Sequence, residues 1–236
     1  MGRHVVTRPQ LRPYAALTAA MPADQTSLRI ERSPLTDLSA IGRMTALREL
    51  IVVRTPVSDL SPLAALTHLE VLGLRLTRVT DLSPLSGLTR LKSLILSFTE
   101  VADLAPLAGL TGLESCHLTG TLVQNIEPLS GLTNLARLDL GGTPVFDIGP
   151  VRGLTKLLGL QLAGTKIADL RPLSGLTRLQ FLDLGDTPVA DVSPLRTLTS
   201  LREIDLRGTR VTDVSPLAGL TECAIVTALN PRRRRR

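Results

Sequence analysis

The chain has 236 residues and a formal net charge of +6; 43% of its residues are hydrophobic and only 2% are aromatic. This composition supports a packed core, and the scarcity of rings disfavours aromatic cages and base-stacking platforms. Of the 27 basic residues, five form the run 232–236 and three precede residue 25, so the body over 25–231 holds 19 basic against 20 acidic residues. The body is near neutral, which disfavours a nucleic-acid-binding field over the whole domain.

Residues 1–24 precede the recognisable pattern and predict an N-terminal capping or leader segment. The stretch 14–23 follows three arginines and faintly resembles a signal peptide, but it is short, Ala-rich and interrupted by Thr18 and Pro22. We therefore expect a cap with a short helix near 15–20. No apolar run in the sequence approaches the ~18 residues that a membrane span requires.

A 22-residue repeat organises the rest of the chain. From Leu47 the pattern L-x-x-L-x-L-x-x-T-x-V-x-D-L-S-P-L-x-G-L-T-x recurs eight times without insertion, and a degenerate copy precedes it, so nine units cover 25–222. Residues 223–230 read as a decayed tenth unit. Positions are numbered from 1, with Leu47 at position 1. One unit cannot bury its apolar positions alone, whereas stacked units can.

Each unit predicts one strand and one turn. The alternating apolar residues of positions 1–6 indicate a short strand with one buried face. The Ser-Pro-Leu that follows indicates one turn of 3₁₀ or α-helix, whose serine hydroxyl is expected to cap free amides. Because the strands recur in the same direction, they are expected to stack into a parallel sheet.

This pattern resembles that of leucine-rich repeat proteins, and its V-x-D-L-S-P-L segment is similar to the bacterial internalin type. The resemblance covers 198 of the 236 residues. It implies an α/β fold: a right-handed solenoid with a parallel sheet on the concave side and short 3₁₀ or α turns on the convex side. It also implies a scaffold that binds another protein. Position 9 holds Thr where that type usually has Asn, and the sequence shows no wall-anchoring tail, so host-cell adhesion is not expected.

Two columns of polar residues predict structural roles. Position 13 is acidic in eight units, and Asn125 replaces the acid in one: Asp37, Asp59, Asp81, Asp103, Asp147, Asp169, Asp191 and Asp213. A carboxylate there can accept amide hydrogens at the start of the turn, and Asn125 keeps that ability, whereas a cation site would lose a charge. The threonines of position 9 predict hydrogen bonds from coil to coil.

The sequence offers no catalytic motif and no metal-ligand spacing, so we expect a protein that is not an enzyme and holds no cofactor. Cys116 and Cys223 lie five units apart, roughly 24 Å at a strand spacing of ~4.8 Å, too far for an intrachain disulfide. Two unpaired cysteines favour a reducing compartment. The cytoplasm is therefore the expected location, with secretion as the alternative.

The strand positions that point away from the core define the candidate binding face. The early units give an apolar half with one arginine: Ile51, Val53, Val71, Arg75, Ile95 and Phe98. The later units give an acidic half with one ring: Asp139, Phe181, Asp183, Glu203 and Asp205. Exposed apolar patches mark interfaces, so we predict that an unidentified protein binds this concave face. For the acidic half, the competing interpretation is that Leu-Asp-Leu is a frequent filling of this repeat. For the apolar half, it is that the residues merely fill a shallow groove or self-associate.

The chain end supplies two further expectations. The run Arg232–Arg236 predicts a disordered tail, and the alternative function is an adaptor that uses this tail to bind nucleic acid or an acidic membrane surface. The residues after the last full unit, 223–226, form no polar cap. Because terminal repeats need a polar outer face, either fraying of this end or self-association through it is expected.

Overall fold

The computed structural model describes residues 5–7 and 24–227. The short helix expected near 15–20 and the arginine run 232–236 lie outside these residues. In the described part of the chain, no helix is long and apolar enough to cross a membrane.

The described strands form one parallel sheet in sequence order. Its eleven strands are β1 (Val5–Thr7), β2 (Ser27–Glu31), β3 (Glu49–Val53), β4 (Val71–Gly73), β5 (Ser93–Ile95), β6 (Ser115–His117), β7 (Arg137–Asp139), β8 (Gly159–Gln161), β9 (Phe181–Asp183), β10 (Glu203–Asp205) and β11 (Ala224–Val226). Each unit contributes one strand at positions 3–5, as the alternation of apolar residues predicts.

The register follows the repeat except at the two ends. Equivalent residues pair, as Leu50 with Leu72 does, so every side-chain column runs straight across the sheet. β11 pairs one residue early, with Ile225 beside Ile204, so Ile225 takes the inward position that an unbroken repeat would give to Val226. At the other edge of the sheet, β1 pairs with β2. The sequence pattern did not indicate β1.

The return arm of each unit contains one 3₁₀ turn. These turns span Ile41–Arg43, Ser61–Ala65, Ser83–Leu85, Ala105–Leu107, Glu127–Leu129, Gly149–Gly153, Arg171–Leu173, Ser193–Thr197 and Ser215–Leu217. No α-helix occurs within 24–227, so the turns are 3₁₀ wherever the sequence left the choice open. Proline at the second position of most turns needs no hydrogen-bond partner for its nitrogen, which suits a turn start.

The position-13 column has the predicted structural role. In each unit the side-chain oxygen accepts the amide hydrogen two residues on, as Asp59 does from Ser61 at 2.8 Å. Asn125 does the same for Glu127 at 2.9 Å. The expected serine cap is wrong, because the Ser61 hydroxyl donates to Asp59 and the Asp59 carboxylate, not the serine hydroxyl, accepts the amide hydrogen at the start of the turn. The carboxylate reaches the free amide first.

The interior is filled by the inward leucines, and Leu140 is fully buried as its position predicts. The buried threonines behave differently from the expectation. The Thr143 hydroxyl donates to the Leu140 carbonyl at 2.6 Å within its own unit, and the other units repeat this bond from Thr77 onward. Coil-to-coil bonding is therefore wrong, since the turn after the strand brings the carbonyl three residues earlier within closer reach.

The last unit is less well covered than the others. Val214 is 39% exposed, whereas Val192, at the same position one unit earlier, is 1% exposed. Val211 is likewise only partly buried. Among residues 24–227 no full unit lies on the outer side of the last one, which accounts for both, because each unit depends on the next to cover its apolar side chains.

Candidate functional site

Two separate hollows lie on the strand-bearing face. The arginine hollow has a volume of about 320 Å³ and is lined by Arg29, Glu31, Arg32, Ile51, Val53, Arg54, Gly73, Arg75 and Ile95. The acidic hollow has a volume of about 310 Å³ and is lined by His117, Arg137, Leu138, Asp139, Gly159, Leu160, Gln161, Phe181, Leu182, Asp183, Glu203 and Asp205. They share no residue, and their middles are four to five strands apart, roughly 20 Å at ~4.8 Å per strand.

The hollows divide the expected binding residues between them. The arginine hollow takes four of them, Ile51, Val53, Arg75 and Ile95. The acidic hollow takes the whole acidic half, Asp139, Phe181, Asp183, Glu203 and Asp205. Val71 and Phe98 line neither. The early half was expected to be mainly apolar, but three arginines that sequence reasoning missed make its hollow basic: Arg29, Arg32 and Arg54. Their charge in two adjacent early units was the available signal.

Ile51 does not project freely into solvent as strand alternation suggested. It is only 7% exposed. A Cβ added at Gly73 on the next strand would lie 2.8 Å from its Cδ1, so the Ile51 side chain occupies the space that Gly73 leaves. Ile51 thus forms part of the floor of the arginine hollow.

Repeat position 8 marks the edge of this face, and its backbone is left-handed. The residues with side chains there are Arg32, Arg54, Leu76, Phe98 and Asp186, with φ between 51° and 60°. The glycines are Gly120, Gly142, Gly164 and Gly208, with φ between 65° and 71°. This conformation lets the position-8 amide donate to the next unit, as Phe98 does to the Thr119 carbonyl at 2.7 Å. For a residue with a side chain it costs about 1–2 kcal/mol.

Phe98 is held in place from two sides. The guanidinium carbon of Arg75 lies 5.4 Å from the centre of its ring. On the other side, a Cβ added at Gly120 would come within 2.7 Å of Cδ1, so the ring covers that glycine. Phe98 is nevertheless 45% exposed. A large ring that is fixed before binding loses little conformational entropy when a partner covers it.

In the acidic hollow, three aspartates of position 5 each make the same local hydrogen bond. Asp139, Asp183 and Asp205 each accept the amide hydrogen two residues on, at 2.9–3.0 Å. Asp183 and Asp205 are direct neighbours across β9 and β10, as predicted. Arg207 binds Asp205 through its guanidinium group, which offsets part of the repulsion between the two carboxylates.

Their surroundings shift the aspartate pKa values in opposite directions. Burial raises the pKa of Asp183, and the neighbouring Asp205 charge adds to this effect. Burial also acts on Asp139, but His117, the Thr119 hydroxyl and the Gly141 amide together outweigh it and lower its pKa. The Thr119 hydroxyl donates to Asp139 at 2.6 Å, and His117 Nδ1 lies 3.9 Å from the same carboxylate. Two equivalent repeat positions therefore differ in chemistry because their neighbours differ.

The charged residues of position 2 and the buried cysteine have contacts that serve the fold. Glu70 bridges Arg48 at 2.6 Å and Lys92 at 2.8 Å, so opposite charges alternate along position 2 on three neighbouring strands. Cys116 is fully buried, and burial raises the pKa of its thiol to about 12. Across residues 24–227 no cluster of His, Cys, Asp or Glu could hold a metal ion.

Two exposed apolar side chains lie off the strand face and were not anticipated. Phe146 is 64% exposed and Leu122 is 57% exposed. They occupy positions 12 and 10, after the strand and its edge. Position 12 holds small or polar residues in the other units, so a lone Phe there was the available signal.

Comparison with solved structures identifies the family. Neither protein-family models nor curated protein sequences match the chain. The structure of internalin F from Listeria monocytogenes is 30% identical, with a TM-score of 0.83 over 85% of this chain and 59% of that one. Internalin C2 from the same organism is also 30% identical, with a TM-score of 0.71 over 86% of this chain and 80% of that one. The chain is an internalin-like leucine-rich repeat protein.

A third structure shares the fold at lower identity. A plant peptide hormone receptor, solved in complex with RGF2, is 16% identical, with a TM-score of 0.72. The match spans 85% of this internalin-like chain and 35% of the receptor. Like internalin F, the receptor is therefore considerably longer than the part that this chain matches.

Proposed function

We propose that this internalin-like protein is a non-enzymatic interaction module that binds a protein partner on its concave, strand-bearing face. The observation that carries the proposal is Phe98, which is fixed between Arg75 and Gly120 yet 45% exposed. Binding energy in protein interfaces concentrates in a few such anchors. Side chains retained at left-handed positions beside it support the same conclusion, because strained backbone clusters at functional sites.

The related structures support this class of function. The plant receptor that shares the fold is a peptide hormone receptor solved with RGF2. The two hollows are each close to 300 Å³, the lower end of the range of ligand pockets, which suits single side chains of a larger partner better than a whole small molecule.

The test is a hydrogen-exchange footprint with the purified partner, obtained by cross-linking capture and then verified by direct binding. Protection is expected at backbone amides of the concave face, at the strands and position-8 turns, with no added protection at the convex 3₁₀ turns. Backbone amides of the strands and position-8 turns report directly on binding to this face, because they lie beneath the side chains that are expected to contact the partner. Protection confined to the 3₁₀ turns, or to residues outside 24–227, would refute concave-face binding.

The alternative function uses the run Arg232–Arg236 to bind nucleic acid or an acidic membrane surface. A salt titration of partner binding separates the two functions. Phosphate neutralisation by five arginines makes affinity fall steeply with salt, whereas contacts centred on Phe98 weaken little. A steep fall that disappears when Arg232–Arg236 are replaced by serine would favour the tail.

Self-association through the C-terminal end stays a prediction as well. The exposure of Val214 supports it. Sedimentation of the full chain over a range of concentrations tests it, with Val214→Ser as the variant expected to shift the equilibrium towards monomer.

A further inference from the structure

We propose that the arginine hollow binds an acidic–aliphatic peptide segment of the partner, with carboxylates on its guanidinium groups and a branched aliphatic side chain on its floor. The inference rests on the proposed concave-face function and specifies which half of the face binds and what it binds. It does not involve the acidic hollow or the terminal arginine run.

The arginine hollow has an excess of positive charge. Three consecutive units supply four arginines, and Glu31 is the one acidic residue in the lining, which gives the hollow a formal charge of +3. Glu31 binds Arg29. Within the described residues, the side chains of Arg32 and Arg54 have neither an ion pair nor a hydrogen bond, so two guanidinium groups remain for an external anion.

The backbone that presents those two guanidinium groups is left-handed. Arg32 and Arg54 have φ values of 51° and 55°. Glycine takes the same position without strain in later units, at Gly142 for example. Arg32 and Arg54 therefore present their side chains from a strained backbone, and such strain clusters at binding sites.

The floor of the arginine hollow is aliphatic. Ile51, Val53 and Ile95 line the bottom, and Gly73 leaves room between them because it has no side chain. A purely ionic ligand would leave this aliphatic surface wet. A ligand that pairs carboxylates with a branched aliphatic side chain covers both surfaces at once.

These features favour a peptide over a nucleic acid. Base recognition uses stacking on several rings, and no aromatic side chain lines the arginine hollow. The planar guanidinium fork matches a carboxylate or a phosphate in two parallel hydrogen bonds, so the preference for a peptide rests on the absent rings and on the aliphatic floor. The length of an extended strand, ~3.3 Å per residue, allows carboxylates two residues apart to reach the arginines of neighbouring units.

The experiment selects peptides of about nine residues from a random display library against the full chain. Every variant is also made in a full-length background with Arg232–Arg236 replaced by serine, because the terminal arginines could attract acidic peptides on their own. The test variant is Arg32→Gly with Arg54→Gly, which removes both guanidinium groups and relieves the backbone. The matched control is Asp186→Gly, which makes the same backbone change at a left-handed position outside the hollow.

We expect the enriched peptides to carry at least two carboxylates beside a branched aliphatic residue. A blocked synthetic copy should bind about tenfold or more weakly to the double-glycine variant and equally well to Asp186→Gly. Its binding should shift the amide signals of Ile51, Gly73 and Ile95. Replacing its carboxylates by amides should abolish binding, and neither inorganic phosphate nor an oligothymidine should compete at equal concentration.

Other outcomes overturn the inference in distinguishable ways. Peptides that bind β7–β10 and tolerate the double-glycine change would leave concave-face binding intact and remove the arginine hollow from it. Peptides that bind only the convex turns would overturn both proposals. Binding that vanishes in the serine background, competition by the oligothymidine, or the absence of any enriched peptide would each overturn the inference.

Discussion

The two halves of the solenoid have the same backbone at repeat position 8 but different residues. In the first four units the position carries Arg32, Arg54, Leu76 and Phe98, and in the next three it carries glycine. All adopt a left-handed conformation. The fold therefore requires the conformation and not the side chain. The early half carries side chains at this conformational cost in four consecutive units, whereas the later half does so only at Asp186 among the described residues, and the early half contains the arginine hollow and Phe98.

The comparison requires that the interiors of the two halves be equivalent. Leu74 and Leu140, both at position 6, are fully buried. Replacing either by alanine should lower the free energy of unfolding by about 2–5 kcal/mol, since each leaves a cavity that the stacked coils cannot close. Denaturant titration measures both.

Pro144→Ala is the control for that measurement, because Pro144 lies in the loop after the strand and is only partly buried. Pro144→Ala should lower the free energy of unfolding by far less. A loss equal to that of Leu140→Ala would mean that the inward register is wrong.

The leucine columns also show how much of this molecule can be predicted from its sequence. The period, the strand at each Leu-x-Leu, the parallel order and the role of the position-13 aspartates all follow from local rules repeated nine times. The destination of the Thr143 hydroxyl does not, because carbonyls of its own coil and of the next coil are both plausible partners. The choice depends on fractions of an ångström in the turn.

The candidate site was harder to predict than the fold. Alternation placed Ile51 and Asp183 on the correct face but could not show that Ile51 lies over Gly73. Nor could it show that Arg32 and Arg54, which are not strand residues, contribute to the same hollow as Ile95. These contacts join different columns and different units, and a single repeat pattern contains no information about them.

A substitution at position 8 can give the later half the kind of side chain that the early half carries there. Gly142→Arg should lower the free energy of unfolding by about 1–2 kcal/mol because the left-handed backbone then carries a Cβ. Crowding contributes little, since that Cβ would come no closer than 3.9 Å to its neighbours. Thermal or denaturant unfolding measures the change, and an unaltered midpoint would show that position 8 tolerates any residue, which removes the significance of the early side chains.

A smaller effect separates two aspartates of the acidic hollow. The lowered pKa of Asp139 means that its carboxylate contributes stability above about pH 4, which is lost as the pH falls through its folded-state value. The raised pKa of Asp183 has the opposite sign, so its contribution is present at low pH and is lost as the pH rises through its folded-state value.

Asp139→Asn should therefore destabilise the protein at pH 7, on the order of 1 kcal/mol, and Asp183→Asn should be neutral or stabilising there. Both amides retain an oxygen for the amide hydrogen two residues on, so the local turn is preserved. Unfolding at pH 7 and pH 3 gives the comparison, and the same sign for the two variants at pH 7 would contradict the assigned environments.

The most direct test of the central claim compares two exposed phenylalanines in binding to the purified partner. Phe98 lies on the edge of the strand-bearing face and Phe146 lies off it; they are 45% and 64% exposed. The account predicts that Phe98→Ala weakens binding by about 1–2 kcal/mol without a comparable loss of thermal stability, and that Phe146→Ala leaves the affinity unchanged. Equal affinities for wild type and Phe98→Ala, with a loss in Phe146→Ala, would contradict the account and place the interface on the opposite side of the solenoid.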